Sequence, residues 1–316
     1  MNDKRPYRQA YCLCLLLALS SPSISAASAE VAVEQIDKTS FQLLIDGSQL
    51  NVSIRDRVLL TKKAMLIDWI KYSAQTIHQY YGSFPVDKLD INITVSGGFA
   101  VRFGQAFGGN SPHLRIVVGE DINPAMLRKD WIMVHEMVHL AMANVPRSNR
   151  WLLEGLATYV ESIARAQQGE LSEDFVWNGF IKRMPQGLPA AGDAGLDHTP
   201  TWGRTYWGGA MFCLLADIEI RKLTDNRMSL QDALRGILKD GYSMQADTTA
   251  MQVFKSGDAA TGVPVLVSLY EKMRADPVSV DLDALWVSLG ISLQNDQVRY
   301  QADAPLAYVR KQLLRP

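Results

Sequence analysis

His135-Glu136-Met137-Val138-His139 places two histidines four residues apart, with a glutamate beside the first. An α-helix turns once in 3.6 residues, so both rings project from one face, one turn above the other. Two neutral imidazoles so arranged can hold Zn²⁺, and the glutamate can hold a water on that metal as a general base. Five residues also recur by chance, so the flanks decide. Asn123-Pro124 reads as an N-cap followed by proline at the first helical position. Leu127, Trp131, Val134 and Val138 recur at three or four residues and predict a buried stripe. Ile132, His135 and His139 lie on a different stripe, and Asn144 and Pro146 end the helix.

A catalytic zinc takes three protein ligands and leaves one position for water, so a third ligand is required. The stretch Trp151-Leu152-Leu153-Glu154-Gly155-Leu156-Ala157-Thr158-Tyr159-Val160-Glu161 predicts a second helix, reached through a short turn at Pro146 and Ser148. Short connections make antiparallel neighbours, which brings Glu154 back beside His139. An unpaired carboxylate in so apolar a stretch would be costly. A metal accounts for it, and so would pairing with Arg150 one turn earlier.

HExxH followed by W-x-x-E-G-x-A-x-Y resembles the gluzincin zinc metallopeptidases, in particular the aminopeptidase N and glycyl aminopeptidase families with their peptidase MA-like domain. The resemblance covers about residues 87–212. It implies an α+β, zincin-like (gluzincin) catalytic domain, to which the patterns on either side add a small N-terminal β/α portion and a mostly helical C-terminal portion. It implies one Zn²⁺ per chain held by His135, His139 and Glu154, with Glu136 as the base. Tyr206-Trp207-Gly208-Gly209 is similar to the family's Y-x-x-G, whose tyrosine stabilises the oxyanion, and so gives Tyr206 that role. Thr158, one turn after Glu154, stands where related enzymes put a partner of a ligand histidine. Glu161, two turns after Glu154, reads either as a further supporting residue or as a helix-surface charge. Two departures stand out. The fourteen residues between His139 and Glu154 are fewer than in the aminopeptidase N family. That family also reads the substrate's free amine with an acidic G-x-M-E-N segment, and the nearest stretch here, Gly108-Gly109-Asn110, holds no carboxylate. Zinc-dependent hydrolysis is therefore a firmer expectation than aminopeptidase activity.

The first residues read as an export signal: basic Lys4, Arg5 and Arg8, an apolar run from Tyr11 to Leu19, and an Ala27-Ser28-Ala29 cleavage site. The run is too short to anchor in a bilayer, and Cys12 and Cys14 would leave with it. The expected location is periplasmic or secreted, with no membrane anchor after cleavage. Of the net charge of −1, the segment carries +2 (Lys4, Arg5 and Arg8 against Asp3), which leaves −3. No basic stripe appears, so nucleic acid is not an expected partner. Only Cys213 remains, so no internal disulfide is possible.

The chain divides into the signal (1–29), a hairpin and helix (30–84), the zincin core (85–165) and a helical portion that completes the cleft (166–316). In the second unit, Phe41–Ile45, a turn at Asp46-Gly47-Ser48, and Leu50, Val52 and Ile54 predict a β-hairpin, followed by an amphipathic helix over 62–81. Leu89, Ile91, Ile93 and Val95 alternate with polar residues and predict a strand, as does 114–118. Residues 185–204 predict a loop that delivers the chain to Tyr206 and borders the cleft. Within it His198 reads as a solvated histidine or an oxyanion donor. His78 and His113 suggest no chemistry, and Trp202 and Trp207 read as pocket lining or core. The reading is an exported zinc metallopeptidase acting on a peptide or protein. Its rivals are a catalytically silent zinc-fold binding or assembly protein of the cell envelope and a zinc hydrolase of non-peptide substrates.

Overall fold

In the computed structural model, residues 29–315 are described, so the expected export signal lies outside them apart from its last residue. Alternation builds the sheet. Phe41, Leu43 and Ile45 on β2 (Ser40–Ile45) and Leu50, Val52 and Ile54 on β3 (Ser48–Ile54) are buried, and the residues between them are more exposed. Asp46 (φ 47°) and Gly47 (φ 82°) form the two-residue turn, which needs positive φ at both positions. β1 (Val31–Gln35) adds to β2 antiparallel. After α1 (Arg57–Leu60) and α2 (Lys63–Tyr81), β4 (Lys88–Ser96) pairs parallel with β3, which joins the hairpin and the later strands in one sheet. β6 (His113–Gly119) lies parallel to β4, and β5 (Val101–Phe107) lies antiparallel to β6 at the edge. The order is β1-β2-β3-β4-β6-β5.

The single helix expected from Asn123 onward is two helices. Asn123 does cap α3 (Pro124–Lys129), accepting from the Met126 amide at 3.0 Å. Asp130 is then extended, and its carboxylate accepts from the amides of Ile132 and Met133, both at 3.1 Å, to start α4 (Ile132–His139). A short acidic side chain that bonds the amides just ahead competes with the helix carbonyls and breaks the ladder there. Trp131 consequently leaves the expected buried stripe: Leu127, Val134 and Val138 are buried, but Trp131 is half exposed.

Beyond a 3-10 turn (Arg147–Asn149) runs α5 (Arg150–Gln167). The rest is mostly helical: α6 (Glu173–Arg183), α7 (Gly209–Leu223), α8 (Leu230–Lys239), α9 (Ala250–Thr261), α10 (Val265–Met273), α11 (Leu282–Leu289) and α12 (Ala307–Leu313). A small hairpin of β7 (Ile291–Gln294) and β8 (Gln297–Tyr300) precedes the last helix. α5 crosses α7 at very short range. A Cβ on Gly155 would stand 2.3 Å from the Gly209 Cα, and one on Gly209 would stand 2.2 Å from the Trp151 carbonyl oxygen. The Tyr159 hydroxyl donates to Asp217 of α7 at 2.9 Å and ties the two helices together farther along. Among the described residues no helix is long and apolar enough to cross a membrane.

Candidate metal centre

α4 and α5 bring His135, His139 and Glu154 together, with one ligating atom from each inside 4.8 Å of the others. Glu154 Oε2 lies 3.5 Å from His135 Nε2 and 3.6 Å from His139 Nε2. These gaps are long for hydrogen bonds. They match the roughly 3.4 Å between two ligands that sit about 2.1 Å from one tetrahedral ion. The other oxygen of Glu154 accepts from Arg150 (Nη2 at 3.1 Å, Nε at 3.3 Å). The alternative pairing thus forms as well, but at Oε1, and leaves Oε2 to the histidines. Burial and the neighbouring His135 push His139 down to about 3, so its ring is neutral, as a ligand must be. Burial alone would raise the Glu154 carboxyl, but His135, His139 and Arg150 outweigh it and hold it at about 2. Two imidazoles and one ionised carboxylate form a donor set that suits Zn²⁺.

Glu136 is buried on the same helix, and its carboxyl is raised to about 7, chiefly by burial and then by Glu154, with His135 pulling the other way. A base with that affinity takes a proton near neutral pH and can give it back. The edge strand β5 comes close enough to touch it because residue 104 is glycine: a Cβ there would stand 2.3 Å from Ile132 Cγ2 and 2.7 Å from Glu136 Cγ.

Tyr206 sits in a π-helical turn (Arg204–Gly208) that opens α7, a local widening often found at functional sites. It stacks on Trp202 with ring centres 5.6 Å apart. Burial raises its hydroxyl, and the neighbouring Glu154 raises it further while Arg150 opposes, so the phenol stays protonated and able to donate. The Gly155–Gly209 crossing sets this tyrosine against the start of α5. His135, Glu136, His139, Glu154 and Tyr206 all line one cavity of about 640 Å³.

The remaining expected residues do other things. The Thr158 hydroxyl donates to the Glu154 carbonyl at 2.7 Å, so the expected bond to a histidine is not formed, and the buried Nδ1 of His135 meets no protein partner. Glu161 accepts from Arg165 and from Ser162 Oγ (2.9 Å), in a buried cluster with Glu170. His198 is exposed and lines neither this cavity nor its neighbour. His78 faces Asp46 at 3.2 Å, and His113 stacks on Phe107.

The loop before Tyr206 does border the cleft. Leu196, Asp197, Pro200 and Trp202 line a second cavity of about 760 Å³ that shares Arg147, Arg150 and Tyr206 with the first. Asp197 holds this loop to α5 and α10 by accepting from Asn149 (2.8 Å), Trp151 (2.7 Å) and Tyr270 (2.8 Å). Strand β5, with Arg102 and Phe103 on the cavity wall, is the part of the site that no motif announced.

No family model matches the chain, and no curated protein matches it. Solved structures do. An aminopeptidase N family protein from Idiomarina loihiensis superposes with a TM-score of 0.61 at 13% identity, over 84% of this chain and 50% of the other. The M1 zinc metallopeptidase from Deinococcus radiodurans overlaps more loosely, with a TM-score of 0.48 at 13% identity, over 80% of this chain and 52% of the other. The chain thus spans about half the length of these structures. On the first of them, together with the paired α4 and α5 and the edge strand beside them, this chain has a gluzincin-like, aminopeptidase N-like fold.

Proposed function

We propose that the protein is a zinc-dependent metallopeptidase, exported to the periplasm or beyond. The reading is carried by the convergence of His135, His139 and Glu154 within 4.8 Å, on a cavity that also holds Glu136. A Zn²⁺ held by those three residues would supply Lewis acidity, lowering the pKa of a water toward neutrality and polarising a carbonyl. Arg150 orients Glu154 by engaging its far oxygen. Glu136 accepts a proton from the attacking water as its oxygen bonds the scissile carbonyl carbon. It then returns the proton to the leaving nitrogen as the C–N bond breaks, giving a carboxylate and an amine. Tyr206 donates its hydroxyl to the oxyanion that forms in between. The exposed edge of β5 along the cavity suits an extended peptide, which can add to a sheet edge as one more strand.

The deciding experiment is digestion of a mixed peptide library by the mature protein and by Glu136→Gln, with zinc content measured on both. The expected result is cleavage by wild type and a loss of roughly 10²–10⁴ in rate for the variant at unchanged metal content. Equal rates would remove Glu136 as the base. Absence of cleavage by zinc-loaded wild type would favour a zinc-bearing binding protein or a hydrolase of other substrates.

A further inference from the structure

Three arginines and almost no free acid line the cleft. Arg102, Arg147 and Arg150 face the metal-site cavity, and among the described residues its only carboxylates are Glu136 and Glu154. Glu154 is committed to the histidines and Arg150, and Glu136 to the chemistry. The adjoining cavity adds Asp197, whose two oxygens already accept from Asn149, Trp151 and Tyr270. Among the described residues that line the two cavities, no carboxylate is left over to receive a substrate's ammonium group. Arg102 and Arg147, by contrast, are both exposed, and neither side chain makes an ion pair or hydrogen bond among the described residues. The chain as a whole carries a net charge of −1, so this basic lining is local to the cleft and not a general property of the surface.

The two arginines stand at opposite ends of the site. β5 runs alongside α4: Gly104 abuts Ile132 and Glu136, and four residues on Gly108 abuts Asn144 and Met244 beyond the end of the helix. Arg102 is therefore near the Trp131 end, and Arg147 follows the His139 end. A peptide laid along this edge at about 3.3 Å per residue would have the metal ligands at its middle and a guanidinium within a few residues on either side. Guanidinium groups bind carboxylates with paired, charge-assisted hydrogen bonds, and a cleft of one sign also raises the local concentration of oppositely charged substrate.

Resting on the metallopeptidase reading, we propose that the cleft selects an acidic peptide segment, its carboxylates read by Arg102 and Arg147, and that it does not recognise a free amino terminus. The same chemistry has two sources, acidic side chains or a terminal carboxylate, and the test separates them. The probes are ten-residue peptides bearing Asp or Glu on both sides of a cleavable bond, beside Asn/Gln counterparts, each with free or acetylated N-terminus and with free or amidated C-terminus. Wild type should prefer the acidic peptide by about tenfold or more in kcat/KM whether or not its amine is acetylated. Arg102→Gln and Arg147→Gln, which leave no internal partner unsatisfied, should each shrink that ratio severalfold, and 0.5 M NaCl should shrink it in wild type. A preference for the acidic peptide that survives amidation would assign the carboxylates to side chains; rates alike on acidic and neutral peptides but lost on amidation would assign the carboxylate to the C-terminus. Equal rates on acidic and neutral peptides whether the C-terminus is free or amidated, or a requirement for the free amine, would overturn the proposal. If zinc-loaded protein cleaves nothing, the metallopeptidase reading is what fails. Fluorescence anisotropy of labelled peptides on zinc-loaded Glu136→Gln then still reports the charge preference, and equal affinities there would overturn it.

Discussion

Gly155 and Gly209 meet backbone to backbone, so close that a Cβ on the first would stand 2.3 Å from the Cα of the second. Each is also within one helical turn of a residue of the site: Gly155 follows Glu154, and Gly209 lies three residues after Tyr206. The crossing of α5 and α7 thus sets the distance between the proposed metal ligand and the proposed oxyanion donor. Gly209→Ala should destabilise the fold by about 1–3 kcal/mol, because backbone has to give way on both sides. It should also lower kcat by moving Tyr206. Thermal melts of zinc-loaded protein alongside steady-state rates would check this, and an unchanged melt would mean the helices have slack the geometry does not suggest.

Glu154→Ala should weaken zinc binding by more than about 100-fold, since it removes a ligand and not merely a support for one. Arg150 is largely exposed and would be left solvated, so the fold should persist. Metal content after dialysis against a weak chelator measures the effect. Full retention of zinc would exclude Glu154 as a ligand.

Tyr206→Phe removes one donor and no ligand. The expectation is a fall in kcat of roughly 10²–10³ with KM and zinc content little changed. A variant that works at the wild-type rate would reduce Tyr206 to a packing residue on Trp202.

Burial raises the Asp130 carboxyl to about 6, although the Met133 and Ile132 amides it caps favour ionisation. Its folded-state affinity for the proton therefore exceeds that of the unfolded chain, whose ordinary value is 3.8. Between about pH 4 and 6 the folded state binds more protons, and stability falls as pH rises through that window. Two units would amount to about 3 kcal/mol, and the partial exposure of the residue reduces this to roughly 1 kcal/mol. Metal-free Asp130→Asn compared with metal-free wild type by denaturant melts across pH 4–7 isolates the effect. The variant should gain relative stability toward pH 7, and a difference independent of pH would contradict the assignment.

Signals carried by a few neighbouring residues were legible. The i,i+4 histidines, the Asn123 cap, the Asp46-Gly47 turn and the alternation of β3 and β4 all act over one helical turn or one pleat, so the chain announces them locally. The same range explains why Glu154 was within reach of inference: a short turn leaves the next helix little choice but to lie beside the last.

Other features gave no readable signal, either because partners distant in sequence decide them or because local preferences compete. β5 shows no alternation because, as the edge strand beside α4, neither of its faces is consistently buried, and that hid both the strand and Arg102. The break at Asp130 depends on a carboxylate outcompeting helix carbonyls, and the same break sends Trp131 to the cleft and not to the core. Thr158 and Glu161 share a helix with Glu154, and their bonds stay within one turn of it: Thr158 donates back to the Glu154 carbonyl, and Glu161 pairs with Arg165. By itself the sequence singled out the residues that the fold brings together as a group that could hold a metal. The tertiary structure alone decided how close α7 comes to α5 and which charges face the substrate, because both follow from packing between segments that share no local signal.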